Sequence, residues 1–137
     1  MKFKLLGLIF VLGLTSCSVD DPKIVTIQNA NVVNVVAPDT LNFGQTEVFL
    51  VEYLNPTNCH TFEGFDVISS EPETKTIRTE TRFEETFDCD DTPNDFQVVE
   101  FEFFVESQED HSIRFLRGAS DTGQLLYFTF NLPVKVE

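Results

Sequence analysis

The densest run of side chains able to do chemistry lies between Glu84 and Asp95. Glu84, Glu85, Asp88, Asp90, Asp91 and Asp95 fall within twelve positions. Carboxylate oxygens spaced along a loop are the donors that Ca²⁺ takes. An irregular Ca²⁺ site would draw on Asp88, Asp90, Asp91 and Asp95. An EF-hand is excluded. With Asp88 as first position, Pro93 stands where that loop needs Gly, and Val99 stands where it needs a chelating Glu. No metal is assigned from this run, and a solvated acidic loop accounts for it. Catalytic groups are sparse. His60 and His111 have polar neighbours and no nucleophile motif, and Ser107, Ser112 and Ser120 lack a G-x-S-x-G elbow. There is no Gly-rich phosphate loop. The chain therefore reads as non-enzymatic. A small hydrolase would need a His and a carboxylate within hydrogen-bond reach in a cleft.

Charge narrows the partners. The 137 residues carry 9 Lys and Arg against 23 Asp and Glu, a formal net charge of −14. That balance excludes nucleic acid, whose phosphates need clustered cations. It also excludes docking on an anionic membrane through protein charge.

The N-terminus supplies another route to a membrane. Met1-Lys2-Phe3-Lys4 is a short basic start, and Leu5 to Leu14 is an apolar run without a charge. That run has the length of a secretory h-region and is too short for a stable span. Leu14-Thr15-Ser16-Cys17 follows. Together these residues resemble the lipobox signal of bacterial lipoproteins. The resemblance implies cleavage before Cys17, a diacylglycerol on its thiol and an acyl chain on its new amino group. It implies a signal peptide over 1–16 and an acidic tether over 17–23. Two or more acyl chains make a durable anchor at about 0.8 kcal/mol per buried methylene. Loss of Lys2 and Lys4 leaves the mature chain more acidic still. Ser18 after the Cys is compatible with sorting to an outer membrane, and Asp20-Asp21 resembles a Bacteroidota-type surface-export signal. The cell surface and the periplasmic face both stay open. Asp39-Thr40-Leu41 resembles the O-glycosylation site of Bacteroidota envelope proteins, with Thr40 as acceptor.

Lipidation of Cys17 leaves Cys59 and Cys89 as a pair. Two thiols in an exported chain are expected to form a disulfide. The pair is not CxxC, and His60 has no second Cys-His cluster for zinc.

The elements that must position these residues read as strands. Ile24–Ile27 and Val32–Val36 are β-branched runs, and Glu47–Leu54 is rich in strand formers. Phe62 to Ile68 marks a fourth strand with a bulge at Gly64, and Ser69 to Thr74 reads as a turn. Ile77, Thr79, Thr81 and Phe83 alternate with Arg78, Glu80, Arg82 and Glu84. In 96–106, Val99, Phe101, Phe103 and Val105 share one face, with Phe96, Val98 and Phe104 on the other. Ser112–Arg117 and Gln124–Leu132 follow, separated by a turn over Gly118–Gly123. Arg78, Arg82, Arg114 and Arg117 are expected in cross-strand ion pairs with Glu80, Glu84 and Glu106.

Seven to eight strands without a helix predict an all-β, Ig-like antiparallel β-sandwich over 24–137. The 15 Phe, against 2 Tyr and no Trp, would supply its core. The function this favours is a lipid-anchored binding or structural module of the envelope, probing protein or glycan partners. The alternative is an accessory lipoprotein capturing glycan or Ca²⁺.

Overall fold

A computed structural model describes residues 23–92 and 94–137. The expected signal peptide, Cys17 and all but the last residue of the tether lie outside them. The described chain is all-β and forms a sandwich. Its strands are β1 (Val25–Asn29), β2 (Asn31–Val36), β3 (Leu41–Asn42), β4 (Thr46–Leu54), β5 (His60–Glu71), β6 (Thr74–Glu84), β7 (Phe96–Phe104), β8 (His111–Ala119), β9 (Leu125–Leu132) and β10 (Val134–Lys135).

One sheet is β2-β4-β7, antiparallel throughout. The other centres on β6. β5 pairs along one side of β6. On its other side β8 takes Thr74–Ile77, and β1 takes Glu80–Glu84. β9 continues outward from β8. The segment 25–36 changes sheets at Ala30. This residue is buried, and its N–H donates to the Thr79 carbonyl at 2.8 Å before β2 joins the opposite sheet. That is how corners are made in packed sheets.

Three features differ from the sequence expectation. There are ten strands, because β3 and β10 form a two-residue parallel pair at one end of the sandwich. The β6–β8 pairing is also parallel. The turn expected over Ser69–Thr74 shrinks to Pro72-Glu73, and the turn expected from Gly118 starts only after Ala119. In both places cross-strand pairing carries the ladder into polar sequence. The bulge expected at Gly64 is present as a register shift between Phe62 and Gly64.

The period-two pattern sets the core. Phe49, Val51, Tyr53 and Phe101 from one sheet meet Ile77, Thr79, Thr81, Ile113 and Phe115 from the other. Phenylalanine does supply the large rings. Phe49, Phe101 and Phe115 form a triangle with centroids 5.5–6.0 Å apart. Phe130 extends it at 6.2 Å and Phe65 at 5.1 Å. Tilted and edge-on contacts of this kind add about 0.5–1.5 kcal/mol per pair beyond burial.

Candidate functional site

The most conspicuous surface is the outer face of β2-β4-β7. On a strand with one buried face, the alternate positions normally carry polar groups. Here they do not. β4 buries Phe49, Val51 and Tyr53, yet also points Val48 and Leu50 outward. β7 buries Phe101 and points Phe96, Val98 and Phe104 outward, and β2 adds Val36. These six side chains remain 40–62% exposed. The register interleaves them with acids. Leu50 lies between Val36 and Glu100, Val48 opposite Glu102, and Val98 opposite Glu52. Asn31, Asn34 and Thr46 are exposed uncharged polar positions paired in the same phase, and no Lys, Arg or His of the three strands joins them. The ion pairs among the described residues involve Glu84 and Asp66, none of these three glutamates. The sequence pattern already separates Phe96, Val98 and Phe104 from the core face of β7. The signal that marks the surface is apolar residues on both faces of β4 and β7 at once.

The residues singled out from the sequence lie elsewhere. Cys59 and Cys89 form the expected disulfide, with Cα atoms 5.4 Å apart. It joins the β4–β5 and β6–β7 connections at one end of the sandwich. The same end is stitched by polar contacts. Asn58 Nδ2 donates to the Asp88 carbonyl at 3.0 Å, and its Oδ1 accepts from the Asp90 N–H at 2.9 Å. Thr57 and Asp91 form an isolated antiparallel bridge.

The four aspartates proposed for Ca²⁺ are not brought together. No group of three His, Cys, Asp or Glu converges among the described residues. Asp95 instead accepts from Asn55 Nδ2 at 3.2 Å and Gln97 Nε2 at 2.6 Å, so it serves as a loop acceptor. Thr40 sits in the loop between β2 and β3, half-buried beside exposed Asp39.

Both histidines are buried, although their sequence neighbours are polar. His60 Nδ1 lies 2.8 Å from Thr57 Oγ1, and Nε2 lies 3.1 Å from Gln28 Oε1. An Nε2–H tautomer satisfies both contacts. It donates to Gln28 and accepts the Thr57 hydroxyl proton, while Thr57 Oγ1 accepts from the Cys59 N–H. His111 packs its ring against Phe103 at 5.3 Å, and its buried Nδ1 has no hydrogen-bond partner. It lines a shallow cleft of about 310 Å³ with Lys75, Glu106 and Ser107. Neither histidine is hydrogen-bonded to a carboxylate among the described residues.

The arginines correct an expectation. Arg82 pairs with Glu84 on its own strand at 3.1 Å, and Arg78 pairs with Asp66 of β5 at 3.8 Å. Arg114 donates from Nη2 to Thr76 Oγ1 at 2.8 Å and lies over the Tyr127 ring, while Arg117 lies over Phe128. Among the described residues, Glu80 and Glu106 form no ion pair. The parallel β6–β8 register puts Thr76, not an acid, opposite Arg114.

Among ionisable groups, Tyr53 is displaced. Burial pushes its phenol above the usual value of 10.0, and the nearby Asp95 carboxylate pushes it the same way. No protein-family model, curated protein or solved structure matches the chain.

Proposed function

We propose that the chain is a lipid-anchored, non-enzymatic binding module of a bacterial cell envelope. Cys17 carries the lipid, the acidic segment after it is a tether, and the sandwich presents a recognition face to an envelope partner. The observation that carries the binding role is the exposed apolar face of β2-β4-β7. Six large apolar side chains left 40–62% exposed on one sheet face are a pattern that marks interaction surfaces. The anchor rests on the lipobox residues Leu14-Thr15-Ser16-Cys17.

Mass spectrometry of the mature N-terminus tests the anchor, together with fractionation of Cys17→Ala. A diacylglyceryl Cys17, and loss of membrane association in the variant, are expected. An unmodified N-terminus starting elsewhere would overturn it. Protease shaving of intact cells then separates the cell surface from the periplasmic face.

A further inference from the structure

This inference rests on the binding-module reading and adds the chemistry of the partner. We infer that the outer face of β2-β4-β7 docks a cationic, amphipathic protein surface, one that sets Lys or Arg beside exposed aliphatic side chains.

The charge pattern selects this occupant. The ionisable groups on the face are Glu52, Glu100 and Glu102. Each lies next to an apolar side chain: Glu52 opposite Val98, Glu100 opposite Leu50 and Glu102 opposite Val48. A partner that buries the aliphatic groups must bury or closely approach the carboxylates too. An unpaired charge taken out of water is costly, so the partner has to bring cations to the same spots. Arg and Lys meet both demands, because their stems cover apolar surface while their heads reach a carboxylate.

The competing occupants fail on the same ground. A second copy of the chain would set glutamates against glutamates, on molecules whose full sequence already carries a formal charge of −14. An anionic lipid surface would be repelled by the three carboxylates. Protection of the β7 edge explains Glu100 and Glu102, since edge strands use charge to refuse new strands. It does not explain Val48 and Leu50 on the central strand β4, or Val98 on the edge itself, which protection alone would leave polar.

Site-specific photo-cross-linking of the full chain in the producing cells tests the inference. A benzophenone amino acid replaces Leu50 or Val98 on this face, or Thr129 on β9 of the other sheet. The readout is the sequence of the cross-linked peptide. The expected adduct forms from positions 50 and 98, to a protein segment combining Lys or Arg with aliphatic residues. In a Glu100→Lys, Glu102→Lys background its yield should fall about tenfold, and a control Glu71→Lys should leave it unchanged. Both altered glutamates are exposed, and the thermal midpoint of each variant verifies folding.

An adduct to a second copy, to lipid or to an acidic segment overturns the inference, as does an adduct indifferent to charge reversal. An adduct from position 129 alone also overturns it, while leaving the binding-module reading intact. Silence at all three positions removes both.

Discussion

The ring of Phe115 on β8 lies 5.5 Å from that of Phe49 on β4, and this contact is where the two sheets meet. Both rings are fully buried. Phe101 closes the triangle from β7. Phe115→Ala would leave a void bordered by three further rings, because Phe130 also contacts it. A loss of about 3–5 kcal/mol is expected in urea unfolding. Phe104→Ala, on the exposed face, should cost under about 1 kcal/mol. Equal losses at the two sites would contradict the placement of the core.

The Cys59–Cys89 bond links positions 30 apart in sequence and ties together two loops. Closing a loop of this size stabilises the fold by roughly 3.5 kcal/mol in the chain-entropy account. Reduction, or a Cys59→Ser, Cys89→Ser double variant, should lower the unfolding free energy by about that amount. The hydrogen bonds of Asn58 to Asp88 and Asp90 would remain to hold the native arrangement. Denaturation of the oxidised and reduced protein measures the difference. A change below about 1 kcal/mol would mean that the polar stitching alone defines this end of the sandwich.

Gly118 sits at the register shift between Leu116 and Gly118 of β8, with φ at +140°. A Cβ there would adopt a backbone conformation that L-residues avoid, and it would stand 3.0 Å from Asn31 Oδ1. Gly118→Ala should cost about 1–3 kcal/mol. The strain resides in the backbone, and the Asn31 side-chain tip can move. Adding Asn31→Ala should therefore restore little of the loss. Full rescue by the second substitution would place the cost in the side-chain contact instead.

Tyr53 provides a pH test. Its phenol is raised above 10.0 chiefly by burial and secondarily by Asp95, so the folded state holds the proton more tightly than the unfolded chain. Where the folded state binds more protons, stability falls as pH rises. This contribution is fully present below pH 10. It is lost as pH climbs from there through the raised folded-state value. Chemical denaturation from pH 8 upward should show the decline, and Tyr53→Phe should flatten it. An unchanged slope in the variant would assign the alkaline loss to other groups.

Much of the fold can be read from the chain because alternation is a local property. The run Ile77–Glu84 and the run around Phe101 declare their buried faces without any partner, and the structure places those faces inward. What escapes is non-local. β3 and β10 are two residues each, and their parallel pairing joins Leu41 to Val134 across most of the domain. The parallel meeting of β6 and β8 likewise brings together strand starts far apart in sequence, Thr74–Ile77 and Ser112–Phe115, and it decides that Arg114 finds Thr76 and Tyr127 in place of an acid. The Cys59–Cys89 pair follows from counting thiols. The candidate face was half legible. Val98 and Phe104 could be assigned to the solvent side of β7, but their continuity with Val48, Leu50 and Val36 exists only once the three strands are in register.

The passage of one continuous segment through Ala30 has a mechanical consequence. Residues 25–36 bind β6 of one sheet and β4 of the other, so this side of the sandwich behaves like the spine of a book. The opposite side is joined by loops in place of such a strand. There β5 and β7 face each other as free edges, in contact through Phe65 and Phe101 and fastened at one end by the loops around the disulfide. The other end of that side carries a second clasp: the β7–β8 connection passes from one sheet to the other, Ser107 Oγ donates to Glu73 Oε1 at 3.4 Å, and Phe103 packs on His111. The book is bound along its spine and clasped at both corners of its open side.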